Sequence, residues 1–260
     1  MEDKKLPLVT IVTPSFNQGQ FIEKTILSVL GQTYPNIEYI IVDGGSTDNT
    51  MAVVNKYRDK IDFIIHEKDD GQADAINKGF KEAKGDLLGW INSDDLLYPK
   101  CVERIVELYF NHPSGAVFYH SVLDRIDKDD QFIKRTSVII PNRQYLLNYC
   151  SDVIQPGSFY ATQLVKKVNY LNKSIYYCMD LDLWLRLTIH GGIYYTFEEP
   201  FSAFRVYTGT KTDTGKHNFL KNIKQVLLKN GANWYSKNII IGYYYYSFKL
   251  FIKSKIYELK

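Results

Sequence analysis

The chain is poor in cysteine: Cys101, Cys150 and Cys178 are the whole complement in 260 residues. An odd, scattered set builds no disulfide framework and has no metal-ligand spacing, so a reducing compartment is the natural setting. No run of the ~18 apolar residues that a membrane-spanning helix needs occurs. The opening "MEDKKLPLVTIVTP" carries charge but no apolar stretch long enough for a secretory leader. Two nucleotide fingerprints are also missing. No G-x-G-x-x-G follows the first apolar run, and no G-x-x-x-x-G-K-[ST] occurs anywhere. These absences argue against a dinucleotide oxidoreductase and a P-loop NTPase.

What is there describes a globular protein with unevenly placed charge. Apolar residues make up 45% of the chain, enough for one large domain with a real core. The net charge of +3 hides a split: residues 216–260 hold nine Lys and one Glu, and the remainder is net acidic. A basic segment of this kind predicts an anionic partner.

"LVTIVTP" (8–14) is an apolar, β-branched run ended by Pro, the pattern of a buried strand. "QFIEKTILSVLGQ" carries Phe21, Ile22, Ile26, Val29 and Leu30 at helical spacing and stops at Gly31. Further strands are expected at "IEYIIVD", "IDFIIHE", "DLLGWINSDD" and "GAVFYH". Helices are expected at "STDNTMAVVNKY", "GQADAINKGFKEAKG" and "KCVERIVELYFNH". Such alternation predicts an α/β fold with a mainly parallel sheet covered on both faces. Ligands of these sheets bind beyond the carboxyl ends of the strands. The polar loops "TPSFNQG", "VDGGSTD", "EKDDGQ" and "NSDD" fall there. Past residue 120 the alternation fades. "QFIKRTSVII" reads as an antiparallel piece, "SIYYCMDLDLWLRLTIHGG" as an amphipathic segment, and "GIYYTFEEPFSAFRVY" as one or two strands.

Asp94 and Asp95 stand side by side at the end of the fourth strand. Adjacent carboxylates either raise a pKa or recruit a cation, and their oxygens suit Mg2+ or Mn2+. An ion held by one or two carboxylates keeps positions open for substrate phosphates. The plainer alternative is that "SDDLLYP" caps the next helix. Asp43, before a Gly pair, either accepts from a nucleoside or holds its turn. Asp180 and Asp182 lie two apart and point in different directions on a helix. One faces a cleft as a general base, or the acid is simply a helix cap. Leu181, Trp184, Leu185 and Leu187 supply packing there.

"TIVTPSFNQGQFIEKTILSVLGQTYPNIEYIIVDGGSTDNT" closely resembles the opening of the family 2 glycosyltransferases, which have the glycosyltransferase-A fold. "GQADAINKGFKEAKGDLLGWINSDDLLYP" looks like the segment with their D-x-D motif. "YYCMDLDLWLRL" resembles their catalytic-base region, and "FSAFRVYTGTKT" a distal Arg-x-His loop. The likeness spans roughly residues 8–212, and the ordered set of segments makes it specific.

The resemblance implies inverting transfer of a sugar, a hexose or N-acetylhexosamine, from a nucleotide-sugar, first of all a UDP-sugar. The acceptor is a hydroxyl of a glycan or lipid-linked glycan in surface polysaccharide synthesis. Carried over by position, Pro14, Phe16, Asn17, Asp43, Gln72, Asn77, Asn92, Ser93 and Asp94 bind the nucleotide-sugar. Asp94 and Asp95 hold Mn2+ or Mg2+, with Asp94 the main ligand. Asp180 is the base, and Gln155, Trp184, Arg205 and Tyr207 belong to the acceptor or diphosphate region. Three positions depart from the pattern. Asn92 replaces the first Asp of D-x-D, Ile76 stands where many members carry Arg, and Tyr207 replaces the His. Asn92→Asp is therefore expected to leave activity standing.

The expected division is a catalytic domain over 1–215, with a nucleotide-sugar half (1–120) and an acceptor half (121–215). A basic, aromatic-rich helical tail over 216–260 follows. In it, "NIIIGYYYYSFKLFIKSKIYELK" interleaves aromatic residues with Lys249, Lys253 and Lys255. That composition suits an interfacial helix on the inner face of an anionic membrane, or a helix packed on the domain or on a partner subunit. The expected setting is cytoplasmic, and no nucleic-acid motif accompanies the basic residues. Two other readings stay open. One is a sugar-nucleotide pyrophosphorylase, although "TPSFNQGQ" lacks its Gly-rich cationic loop. The other is a module that binds a nucleotide-sugar without turnover.

Overall fold

The computed structural model describes residues 6–248, apart from the side chains of Thr212, Asp213 and Lys216. The first half alternates: β1 (Val9–Ser15), α1 (Ile22–Leu30), β2 (Ile37–Asp43), α2 (Thr50–Asn55), β3 (Phe63–His66), α3 (Gln72–Glu82), β4 (Leu87–Trp90), β5 (Leu96–Leu97), α4 (Cys101–Asn111) and β6 (Gly115–His120). Then follow β7 (Val122–Ile126), β8 (Phe132–Ser137), α5 (Arg143–Asn148), β9 (Phe159–Ala161), α6 (Thr162–Lys167), α7 (Met179–Leu187), β10 (Gly192–Thr196), β11 (Ser202–Arg205), α8 (Lys211–Lys229) and a π-helix (Asn238–Tyr245).

Seven strands form one sheet in the order β10-β6-β9-β4-β1-β2-β3. Its described strands run parallel except for β9, which is antiparallel to β4 and β6. The strand period of two sorts the core into layers. Val12, Ile40, Val42, Leu88 and Trp90 face a layer that includes α3 and α7. Val9, Ile11, Tyr39, Ile41 and Leu87 face α1 and α4. Gly79 lets α3 lie close on the sheet, since a Cβ there would sit 2.6 Å from Val12 Cγ1.

β4 stops at Trp90 rather than running to Asp95. The Asp95 N–H donates to the Asn92 carbonyl at 3.0 Å, and that turn ends the ladder. A second sheet, β5-β11-β7-β8, follows the turn. β11 pairs antiparallel with β5 and parallel with β7, which returns Arg205 to the loop after β4. The expected antiparallel piece is β8 on β7.

The division expected at residue 216 falls inside α8, which packs on α7. Val226, Leu227 and Ile239 share a core with Trp184 and Leu185. Among the described residues no helix is long and apolar enough to cross a membrane. Lys249, Lys253 and Lys255 lie outside the described residues.

Candidate active site

Parallel register brings three strand ends level: Ser15 pairs with Asp43, and Asp43 with His66. Asp43 is fully buried. Its Oδ2 accepts from the backbone N–H of Gly45 and Ser46 at 3.1 and 2.8 Å and lies 2.7 Å from His66 Nδ1. Its Oδ1 accepts from the Ser46 hydroxyl. These contacts hold the turn after β2, and the half-exposed His66 ring pairs with the same carboxylate. Pro14 lies within β1. Asn17, at φ +53, ties the first two loops together: its Oδ1 accepts from Thr47 N–H at 2.9 Å, and its own N–H donates to Ser46 at 2.7 Å. Phe16 stands exposed at the rim, the one apolar ring in that loop free to stack on a base.

Two expected contacts lie in the scaffold instead. Both amide atoms of Asn77 are taken by the Leu171 backbone at 2.9 Å, which fastens α3 to the segment before α7. Trp184 is buried; its indole N–H donates to the Tyr160 hydroxyl and its ring meets Tyr119 edge-on. The periodicity that made Trp184 visible is the periodicity of a core face.

The loop after β4 is a hydrogen-bonded plate. Asn92 Nδ2 donates to Asp95 Oδ2 at 3.0 Å and to Gln155 Oε1 at 3.2 Å, while Asn92 Oδ1 accepts from Gln72 Nε2 at 2.8 Å. Gln155 is buried and donates to the Trp90 carbonyl. Ser93 is buried within the turn. Asp95 is buried, and its Oδ1 accepts from the Arg205 N–H at 2.9 Å. Burial, then the neighbouring Asp94 charge, push the Asp95 carboxyl well above the usual carboxylate range. Asp95, expected as a metal ligand, braces the loop through both of its oxygens. Asp94 is half-buried and also raised by burial, with the Tyr207 hydroxyl donating to its Oδ2 at 3.0 Å.

Arg205 was expected in the acceptor or diphosphate region, but its guanidinium is buried. It donates to the Asp94 and Asp127 carbonyls at 2.7 and 2.8 Å, pairs with Asp130 at 2.6 Å and lies over the Phe21 ring. It holds the loop from behind.

α7 carries the two acids of the "MDLDLWL" segment. Asp182 is buried and paired with Arg186 at 2.7 Å. Asp180, in the first turn, is half-buried and accepts from the Leu181 N–H at 2.8 Å. Burial pushes its carboxyl up to about 6, against the pull of that hydrogen bond and of Lys211. Lys211 was not singled out by sequence. Its Nζ donates to Gln72 Oε1 at 3.1 Å, and Gln72 in turn donates to Asn92, so one side-chain relay crosses from the Asp94 loop toward Asp180.

The donor set bears on a metal. Among the described residues no group of three His, Cys, Asp or Glu is placed to hold one. Asp94 has one carboxylate oxygen engaged by Tyr207, and Asp95 has both engaged by protein. That set fits a divalent ion shared between Asp94 and a ligand's diphosphate, not an all-protein cage.

The mixed sheet with one inserted antiparallel strand, with the Asp43 and Asp94 loops beyond its carboxyl ends, is a glycosyltransferase-A fold. Residues 10–169 match the model of Glycosyl transferase family 2, and the chain belongs to that family. The matched range ends before Asp180 and Lys211. A Rickettsia typhi protein named as an uncharacterized glycosyltransferase is 30% identical over 220 residues, which is 80% of this chain and 67% of that protein. TuaG of Bacillus subtilis, named for teichuronic acid biosynthesis, is 44% identical over 116 residues, 43% of this chain and 46% of its own length. S. aureus TarS 1–349 in complex with UDP-GlcNAc superposes with TM-score 0.69 at 15% identity, over 88% of this chain and 67% of that one. The mannosyltransferase PcManGT of Pyrobaculum calidifontis, in complex with GDP-Man and Mn2+, gives 0.61 at 16% identity, over 87% and 64%. At these identities the two structures speak for the fold.

Proposed function

We propose that this glycosyltransferase moves a hexose or N-acetylhexosamine from a UDP-sugar, with inversion, to a hydroxyl of a glycan or lipid-linked glycan in polysaccharide synthesis. The observation that carries this reading is the side-chain relay Asn92–Gln72–Lys211, which links the Asp94 loop to a lysine near enough to Asp180 for their charges to interact. The acceptor oxygen bonds to the anomeric carbon as the bond from that carbon to the diphosphate oxygen breaks. The electron pair leaves with the nucleoside diphosphate, and the hydroxyl proton passes to Asp180. Attack from the face opposite the leaving group inverts the centre. Asp94 and the diphosphate would together hold Mn2+ or Mg2+, which supplies charge stabilisation to the leaving group. The nucleotide choice is supported by the UDP-GlcNAc bound to TarS, the metal by the Mn2+ bound to PcManGT, and the polysaccharide setting by the name of TuaG.

The test is transfer and hydrolysis assayed over a panel of nucleotide-sugars with Mn2+. Asp94→Ala should lose ~100-fold or more in metal-dependent turnover, the size of a missing charge-stabilising group. Release of a nucleoside triphosphate on adding pyrophosphate would instead establish the pyrophosphorylase. No turnover of any donor by folded protein that binds one would leave the non-catalytic module.

We infer further that the enzyme works at an anionic membrane surface. Trp234, Tyr235, Ile240, Ile241, Tyr244 and Tyr245 are exposed. In a π-helix, positions four and five apart share a face, which aligns Ile240 and Ile241 with Tyr244 and Tyr245. Aromatic side chains beside a lysine-rich segment suit the headgroup layer. Deleting the segment would also strip Asn238 and Ile239 from the core, so exposed residues are the better probe. Ile241→Asp with Tyr245→Asp should abolish sedimentation with phosphatidylglycerol vesicles. Undiminished sedimentation of that variant removes the membrane reading.

A further inference from the structure

A departing diphosphate gathers negative charge, and a transferase answers it with fixed positive charge. Three positions expected to do so are unavailable. Ile76 is apolar and buried. The Arg205 guanidinium is buried among the Asp94 and Asp127 carbonyls, Asp130 and Phe21. The Tyr207 hydroxyl donates to Asp94.

A different cation stands beside the Gln72–Asn92 contact. Lys211 opens α8, and its ammonium is half-buried between Gln72 Oε1 at 3.1 Å and the Tyr176 ring centroid at 4.0 Å. Among the described side chains it forms no ion pair. Burial disfavours its charged form, while the Asp180 charge supports it. One neutral oxygen and one ring face leave part of a three-donor ammonium unsatisfied, and a desolvated cation without a contact anion is costly unless a ligand supplies one. Its place matches the need. The Gln72 it touches donates to Asn92, two residues before Asp94, and Asp180 is close enough to influence it.

We propose that Lys211 binds the diphosphate of the nucleotide-sugar and neutralises the charge that builds there as the sugar departs. This rests on the glycosyltransfer reading above. Gln72 positions the ammonium from the donor side, and the Tyr176 ring steadies it by a cation–π contact. The role passes from the motif positions to the first turn of α8 because Arg205 is committed to holding the Asp94 loop.

The experiment is calorimetric titration of UDP, GDP, UMP and uridine into wild type, Lys211→Gln and Lys211→Arg, without metal so that no ion masks the contact. Thermal midpoints verify that each variant is folded. A lost charge-assisted bond predicts ~10-fold weaker diphosphate binding to Lys211→Gln. Uridine should bind all three proteins alike, and Lys211→Arg should recover most of the diphosphate affinity. An equal loss for UDP and uridine would mean that Lys211 only props Gln72, which overturns the inference. Unchanged diphosphate affinity in Lys211→Gln also overturns it, while leaving the glycosyltransfer reading in place. Wild type that binds neither UDP nor GDP, with or without Mn2+, overturns both.

Discussion

Asp180→Asn is expected to fold, to bind donor, and to lose ~1000-fold or more of its transfer rate, the scale of a missing general base. The side chain keeps an oxygen for the Leu181 N–H, so α7 has no reason to shift. What disappears is the proton acceptor. With the carboxyl at about 6, wild-type kcat/KM should fall tenfold per pH unit below that value and level off above it, and the residual rate of the variant should show no such limb. Stability supplies a second readout. The folded carboxyl lies above its ordinary 3.8, so burial favours its neutral form. That contribution is complete below about pH 4 and is lost as the pH rises through about 6. At pH 7.5 the wild type carries a half-buried anion that Asn lacks, and the variant should melt at a higher temperature. At pH 4 the two should melt together. A variant with near-normal turnover removes Asp180 from the chemistry, whatever its melting temperature.

The segments that sequence placed well are those whose pattern is local. β1 and β2 are apolar β-branched runs, and α1 and α4 carry their buried residues at helical spacing. The convergence of Phe16, Asp43 and the Asn92–Asp95 loop followed from one rule about parallel sheets. What sequence missed depends on distant partners. β9 is a three-residue strand, too short for a period, and is defined by β4 and β6 on either side. Asn77 has the residue type of a donor contact, but Leu171 claims it from 94 positions away. Arg205 is a motif residue whose charge is consumed by loops it meets only in the folded chain. Lys211 is the converse: "TGTK" looks like an ordinary loop ending until Gln72, 139 residues earlier, lies beneath its ammonium. One signal for it was present. With Ile76 and Tyr207 standing where the family pattern has Arg and His, the donor side is short of positive charge, and Lys211 is the first lysine after Arg205.

Asn92→Asp, which by motif comparison should be harmless, is expected to be strongly destabilising at alkaline pH. The amide is a donor here. It gives hydrogen bonds to Asp95 Oδ2 and to Gln155 Oε1, both on buried side chains. A carboxylate gives neither and sets a second negative charge 3.0 Å from Asp95, whose own carboxyl is already raised by burial and by Asp94. Leaving the buried Asp95 and Gln155 oxygens without their donor costs about 1–3 kcal/mol, and more where the acceptor is charged. The introduced carboxyl should hold its proton in the folded state, and a protonated carboxyl still donates one hydrogen bond to Asp95. Its folded pKa is therefore raised, so the cost is small below the ordinary carboxylate range and grows as the pH rises. Urea midpoints of variant and wild type should differ little at pH 4.5 and widely at pH 8.5. Mn2+ at pH 8.5 should recover part of the gap, because a divalent ion relieves facing carboxylates where an amide has no such need. Equal midpoints at pH 8.5 without metal would mean that the Asn92 amide does not hold the plate together. The D-x-D resemblance would then describe this loop better than its hydrogen bonds do.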